Sequence, residues 1–220
     1  MTRAWFAAQW RDTPAMLTIA AVTTIASLIL LLFGLAGEAA IRGGFVPGLV
    51  GLHVAASADA PFMLPFWLTP LSATLVHAGL VHLAFNLLVL ALCGDKLERT
   101  LGWRATAALY LIGAYAAAAG YWLQAPASDA PLIGANGAVS ALLGAYALLF
   151  GRAHARPVGP IPARVVAIVW LAAAWIGLQL LIGLAGLGAG AMVTVGASVG
   201  GFLAGLALAQ PLVLWHYRGA

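Results

Sequence analysis

Long apolar runs, broken by short polar stretches, set the pattern of this chain. Six runs, near residues 14–36, 72–93, 103–123, 133–151, 163–184 and 191–214, carry almost no charge. Each approaches the roughly 20 residues an α-helix needs to cross a hydrocarbon core, so the pattern predicts six transmembrane helices. Between the first two runs lies an insert, residues 37–71, broken by Gly43-Gly44, Pro47, Pro61, Pro65 and Pro70. Its prolines, with His53 and Asp59, argue against a seventh span. Its apolar pairs Phe45-Val46, Phe62-Met63 and Phe66-Trp67 place it at the membrane interface instead of in water. The organisation expected is an arm over 1–13, a membrane domain over 14–214 and a short end over 215–220, with no long internal repeat.

Composition turns this pattern into a class. The 220 residues are 64% hydrophobic and 7% charged, with a mean hydropathy of +1.02. A soluble domain carries about a quarter charged residues, so the expectation is an all-α, polytopic membrane protein. Its Gly 26 and Trp 8 suit closely approaching spans and interfacial anchors. The single Cys93 excludes an internal disulfide and reads as a small core residue. Trp5, Trp10, Arg11 and Asp12 precede the first run, and no small-residue cleavage site closes it, which speaks against a removable leader.

Charge adds orientation. Arg3, Arg11, Lys96, Arg99, Arg104, Arg152, Arg156, Arg164 and Arg218 fall on one side of the six-span topology, and Arg42 alone falls on the other with Glu38, Asp59 and Asp129. Nine positive charges against one place both termini in the cytoplasm of a cell membrane, the bacterial inner membrane being the expected one. The pI of about 9.7 reflects this topology, and the scattered basic residues form no nucleic-acid patch.

The polar groups inside the runs carry the candidate chemistry. His77, His82 and Asn86 sit in an otherwise apolar stretch, where polar groups face a protein interior or a water cavity. His82 and Asn86, four apart, share a helical face, with His77 nearer the helix mouth. The five-residue step between the histidines is off the spacing that lets two imidazoles share one ion, so neither metal nor cofactor is expected. A polar network joining helices stays open as an equal reading. Farther on, Gly134-Ala135-Asn136-Gly137 forms a small-residue turn at the mouth of the fourth run.

The two segments together resemble the rhomboid family of intramembrane serine proteases, whose signatures are H-x4-H-x3-N on the second span and G-x-S-G on the fourth. The likeness runs from about Phe66 to Gly205, with support from Gly94-Asp95-Lys96-Leu97-Glu98-Arg99, Leu101-Gly102 and Tyr110. It implies a six-transmembrane-helix bundle in which His82, Asn86 and a backbone N–H beside the nucleophile stabilise an oxyanion. The departures are specific. Asn136 stands where the family has its serine, Ser198 where it has the general-base histidine, and Phe66-Trp67 where many members carry an arginine. A carboxamide cannot be deprotonated to attack a carbonyl, and a serine needs a base beside it. The expectation is a degenerate, catalytically inactive member, a pseudoprotease. Its partners would be the lipid bilayer and transmembrane segments of other proteins, in a client or a membrane complex.

Alternatives remain. Ser140, one turn below Asn136, or Ser198 paired with His82, would rebuild a hydrolytic site and leave an active enzyme. Asn136 is also suited to capping its helix, or to bonding His82 or Ser198 and so locking the second, fourth and sixth spans together. Gly134, Gly137, Gly144, Gly201 and Gly205 read as packing positions that let helices approach closely. Trp170 and Trp175 read as lipid-facing, and His53, His154 and His216 as solvated.

Overall fold

A computed structural model describes residues 12–51, 63–184 and 195–218. The helices, in chain order, are α1 (Pro14–Leu32), α2 (Ala36–Gly43), α3 (Thr69–Ser72), α4 (Leu80–Gln124), α5 (Asn136–Phe150), α6 (Ala163–Leu184) and α7 (Val195–His216). Single 3-10 turns occupy Pro47–Leu49, Ala73–Leu75 and Gly151–His154. The architecture is that of an all-helical polytopic membrane bundle. Of the expectations above, Arg3, Arg11, His53, Asp59, Pro61 and Phe62 lie outside the described residues.

The 45-residue α4 is two passes joined at a hinge. Gly102, at φ 77° and ψ 162°, breaks the helical path between its limbs. An L side chain disfavours that left-handed conformation, and a Cβ there would also meet the His216 ring at 2.6 Å. The two limbs therefore supply the second and third spans. The second begins later than its hydrophobicity indicates: Pro70 and the extended Gly79 confine residues 69–79 to a short helix, a 3-10 turn and a connector. His77 consequently lies on this connector instead of on the spanning helix.

α1, α4, α6 and α7 are long and apolar enough to cross a membrane, whereas α5, at 15 residues, is shorter. It spans about 22 Å, against a hydrocarbon core of about 30 Å. Its neighbours explain how it persists: Asn136 to Ala145 are buried without exception, so α5 meets protein on every side and little lipid. It packs against both limbs of α4 and against α7, with Leu97, Leu101, Leu109, Val139 and Leu142 fully buried in one cluster.

The α5–α7 seam depends on missing side chains. A Cβ at Gly201 would strike the Gly137 carbonyl, one at Gly205 the Ala141 carbonyl, and one at Gly144 the Phe202 carbonyl. Gly137 itself abuts the Ala117 methyl of α4. Gly137, Gly144, Gly201 and Gly205 thus stand at helix–helix contacts, whereas Gly134, expected among them, lies on the turn before α5.

α1 is fastened at its N-terminus by a residue far along the chain. The Glu98 carboxylate accepts the Ala15 and Met16 N–H groups, both at 2.7 Å, satisfying donors that no intrahelical carbonyl reaches. The described part of the insert folds back over the opposite end of the bundle. Phe45 pairs with Leu132 through two backbone bonds, Ser72 Oγ donates to Gly43 O at 2.6 Å, and Phe66 and Trp67 remain exposed.

Candidate functional site

The turn before α5 and the connector before α4 meet at one end of the bundle. Gly134 N–H donates to Ala73 O at 2.8 Å, and its φ of +95° turns the chain into α5. A Cβ at Gly134 would lie 2.5 Å from His82 Cε1, so glycine is what allows the imidazole to rest against the turn. His77 and His82 stack edge-on with ring centroids 4.9 Å apart.

Each ring has a distinct task. Ala135 N–H donates to His77 Nε2 at 3.4 Å, so that nitrogen carries no hydrogen in this bond. His77 Nδ1, 2.9 Å from Ser27 Oγ, then holds the proton and donates it, while Ser27 Oγ donates to Leu75 O at 2.9 Å. The chain of bonds links α5's entry turn to α1 through a neutral, fully buried imidazole. It is a structural relay with no free end for a substrate.

His82 faces the other way. Its Nε2 lies 3.2 Å from Asn136 Oδ1, an oxygen that can only accept, so the imidazole donates. Asn86 Nδ2 donates to His82 O at 2.9 Å within its own helix, and Asn86 Oδ1 is buried with no partner among the described residues. His77, His82, Ala135 and Asn136 thus meet at the turn, with Asn86 one helical turn along from His82 and its side chain bonded, among the described residues, only to it. The donor expected to face an oxyanion, however, is engaged by the carbonyl of the Asn136 side chain.

The remaining expectations are redistributed. Asn136 is the first residue of α5; Ala135 holds the N-cap position, and no side chain caps the helix, so Asn136 bonds across helices instead of capping. Ser198 reaches neither Asn136 nor His82: it is 1% exposed, and its Oγ donates to Gln179 Oε1 at 2.9 Å. The lock therefore joins the second and fourth spans through His82 and Asn136, and the fifth and sixth through Gln179 and Ser198. Ser140 Oγ donates to Asn136 O at 2.6 Å and accepts the indole N–H of Trp175 at 2.7 Å. Trp175, 5% exposed, faces the core, because its N–H finds an acceptor only there; Trp170, 71% exposed, faces outward as expected.

Sequence reasoning missed three participants: Trp175, Gln179 and Ser27. Gln179 carried a usable signal, since a carboxamide in an apolar span needs a partner. Trp175 and Gln179 also lie four apart, on one face of α6. Ser27 gave none, because small hydroxyls are common in packed membrane helices.

Chemically, acyl transfer requires a nucleophile, a base within reach and donors for the developing oxyanion. Donors of the right kind are present. Ser140 and Ser198 give their protons to amide-type carbonyl oxygens and to no imidazole, and Ser27, which does meet an imidazole, accepts the His77 N–H and gives its own proton to Leu75 O. A family model of the Rhomboid domain matches residues 65–215, more than half of the chain and every residue of this site except Ser27. No curated protein matches the sequence.

Proposed function

The chain belongs to the rhomboid family of intramembrane serine proteases, and from that premise we propose that this member does not hydrolyse peptide bonds. Instead it binds transmembrane helices of client or partner proteins, alone or as a subunit of a membrane complex. One observation carries the reading: the position of the nucleophile holds Asn136, whose own side-chain carbonyl takes the His82 N–H. A substrate carbonyl would have to displace it, and no alkoxide waits behind it. Ser198, at the position of the base, is bonded to Gln179 and has no basic nitrogen to offer.

Binding without cleavage is the use that remains for such a scaffold. α6 packs chiefly on α5 and the turn after it, leaving the flank between α6 and the first limb of α4 as the lateral way in. A partly unwound helix of a client exposes backbone groups that lipid cannot satisfy, and polar side chains at that depth can. The charge asymmetry supports an orientation with the end bearing Lys96, Arg156 and Arg164 in the cytoplasm.

The test pairs two assays on the full chain. Purified protein in nanodiscs, offered a helical transmembrane substrate, is expected to release no fragment and to take up no serine-directed fluorophosphonate. A photoreactive side chain in place of the exposed Leu181 on α6 is expected to crosslink, in native membranes, to a transmembrane segment of another protein. Turnover abolished by Ser140→Ala or Ser198→Ala would overturn inactivity. Recovery of nothing but uncrosslinked monomer would overturn client binding.

A further inference from the structure

At the opposite end from His82, the start of α6 leans against the end of α5 and leaves a cavity of about 420 Å³. Its wall includes Tyr146, Gly151, Val166, Ala167, Trp170 and Leu171, and one cation, Arg156, lines it. The volume lies within the roughly 300–1,000 Å³ usual for small-molecule sites. It belongs to no part of the polar cluster around Asn136.

Charge and exposure define what fits. Arg156 is exposed and makes no ion pair among the described residues. Lys96 Nζ sits 4.5 Å from the Phe150 ring centroid and 5.7 Å from that of Tyr146, a residue of the cavity wall. Arg152 and Arg164, on the segments either side, are also exposed. No carboxylate lines the cavity. On the other side the wall is apolar and continues onto the outer face of α6, where Val169 and Trp170 are exposed. An occupant must therefore carry an anion at one end and hydrocarbon at the other, and must enter from the flank.

We propose that this cavity is a binding site for an anionic phospholipid. The headgroup phosphate rests on Arg156 within the field of Lys96, and part of an acyl chain lies along Trp170 and Leu171. A zwitterionic lipid of the same chain length brings an ammonium group into a cluster of like charges, so the site selects net negative lipid. A cation near the surface contributes about 1 kcal/mol toward anionic lipid, so losing Arg156 should weaken binding about fivefold.

The experiment is native mass spectrometry of the detergent-solubilised full chain, titrated with phosphatidylglycerol, with phosphatidylcholine of identical chains, and with glycerol phosphate. The expected result is tighter retention of phosphatidylglycerol, weakened about fivefold by Arg156→Ala, restored by Arg156→Lys, and abolished by Val166→Trp, which fills the cavity. Thermal midpoints of the variants without added lipid should match the parent, which separates lost binding from lost folding. Equal retention of both lipids would overturn the proposal in favour of apolar filling alone. Equal binding of glycerol phosphate would overturn it in favour of a simple anion site. Retention unchanged in Arg156→Ala and Val166→Trp would assign the lipid to the general annulus and sink the site.

Discussion

Ser140 is held from two directions, giving its proton to Asn136 O and taking the Trp175 N–H. Ser140→Ala strands that indole N–H in a buried place, at a cost of about 1–3 kcal/mol. Trp175→Phe removes the donor and leaves the Ser140 bond to Asn136 intact. In the Trp175→Phe background Ser140→Ala should therefore cost less than it does alone, with a coupling of about 0.5 kcal/mol or more. Thermal unfolding of the four proteins in detergent measures it, and strictly additive losses would show that the bond contributes nothing. This pair also marks where the sequence stops being legible. His82, Asn86 and Asn136 stand out because polar groups in apolar runs are costly and their spacing is specific. A tryptophan on a wholly apolar helix has the same surroundings in the sequence whether it faces lipid or core, so Trp170 and Trp175 read alike and point opposite ways. Ser198 is similar: its identity rules out a base, but its partner Gln179 comes from a helix the motif does not include.

Between elements, backbone approach decides more than side-chain chemistry. Gly201 presses against the Gly137 carbonyl, a group that cannot rotate away, whereas a methyl at Gly177 on α6 meets nothing within 4 Å. Gly201→Ala should thus destabilise by about 1–3 kcal/mol through overpacking. Gly177→Ala should be neutral or stabilise by up to about 1 kcal/mol through helix propensity. Equal midpoints for the two variants would mean that the α5–α7 seam is looser than its geometry. That these glycines pack helices is readable from small-residue spacing in apolar runs. The limits of the second span are not, since residues 72–79 carry no charge and run without a break in the sequence into the helix that follows, and only Pro70 and Gly79 hold them out of it. Glu98 belongs to the motif after the second span, yet its geometric task lies with α1. Glu98→Ala leaves the Ala15 and Met16 N–H groups without their acceptor. Bonds to a charged acceptor are worth about 1.5–3 kcal/mol each. Proteolysis should therefore open the start of α1 in this variant before the rest of the bundle, and simultaneous loss of all helices would contradict that order.

Across the whole molecule, the short α5 and the hinged α4 show how six apolar runs become one bundle. The central helix need not match the bilayer, because its neighbours cover it, while the outer helices meet lipid and carry the exposed Ile25, Leu92, Val169 and Leu203. The same arrangement gives the bundle two unlike ends, the polar cluster near Asn136 at one and the cations around Arg156 at the other. Their separation makes orientation measurable, because Cys93 is buried and leaves no background for thiol labelling. Ala127→Cys places a thiol on the exposed loop after α4, at the end of the polar cluster, and Val158→Cys places one on the 60% exposed turn before α6, at the basic end. If the cationic end is retained in the cytoplasm, a membrane-impermeant maleimide applied to sealed right-side-out vesicles modifies the first and spares the second. Inverted vesicles reverse the pattern. The opposite result would turn the molecule over. Labelling of both thiols from one side would break the topology itself, because an even number of crossings would then separate two loops that α5 alone connects.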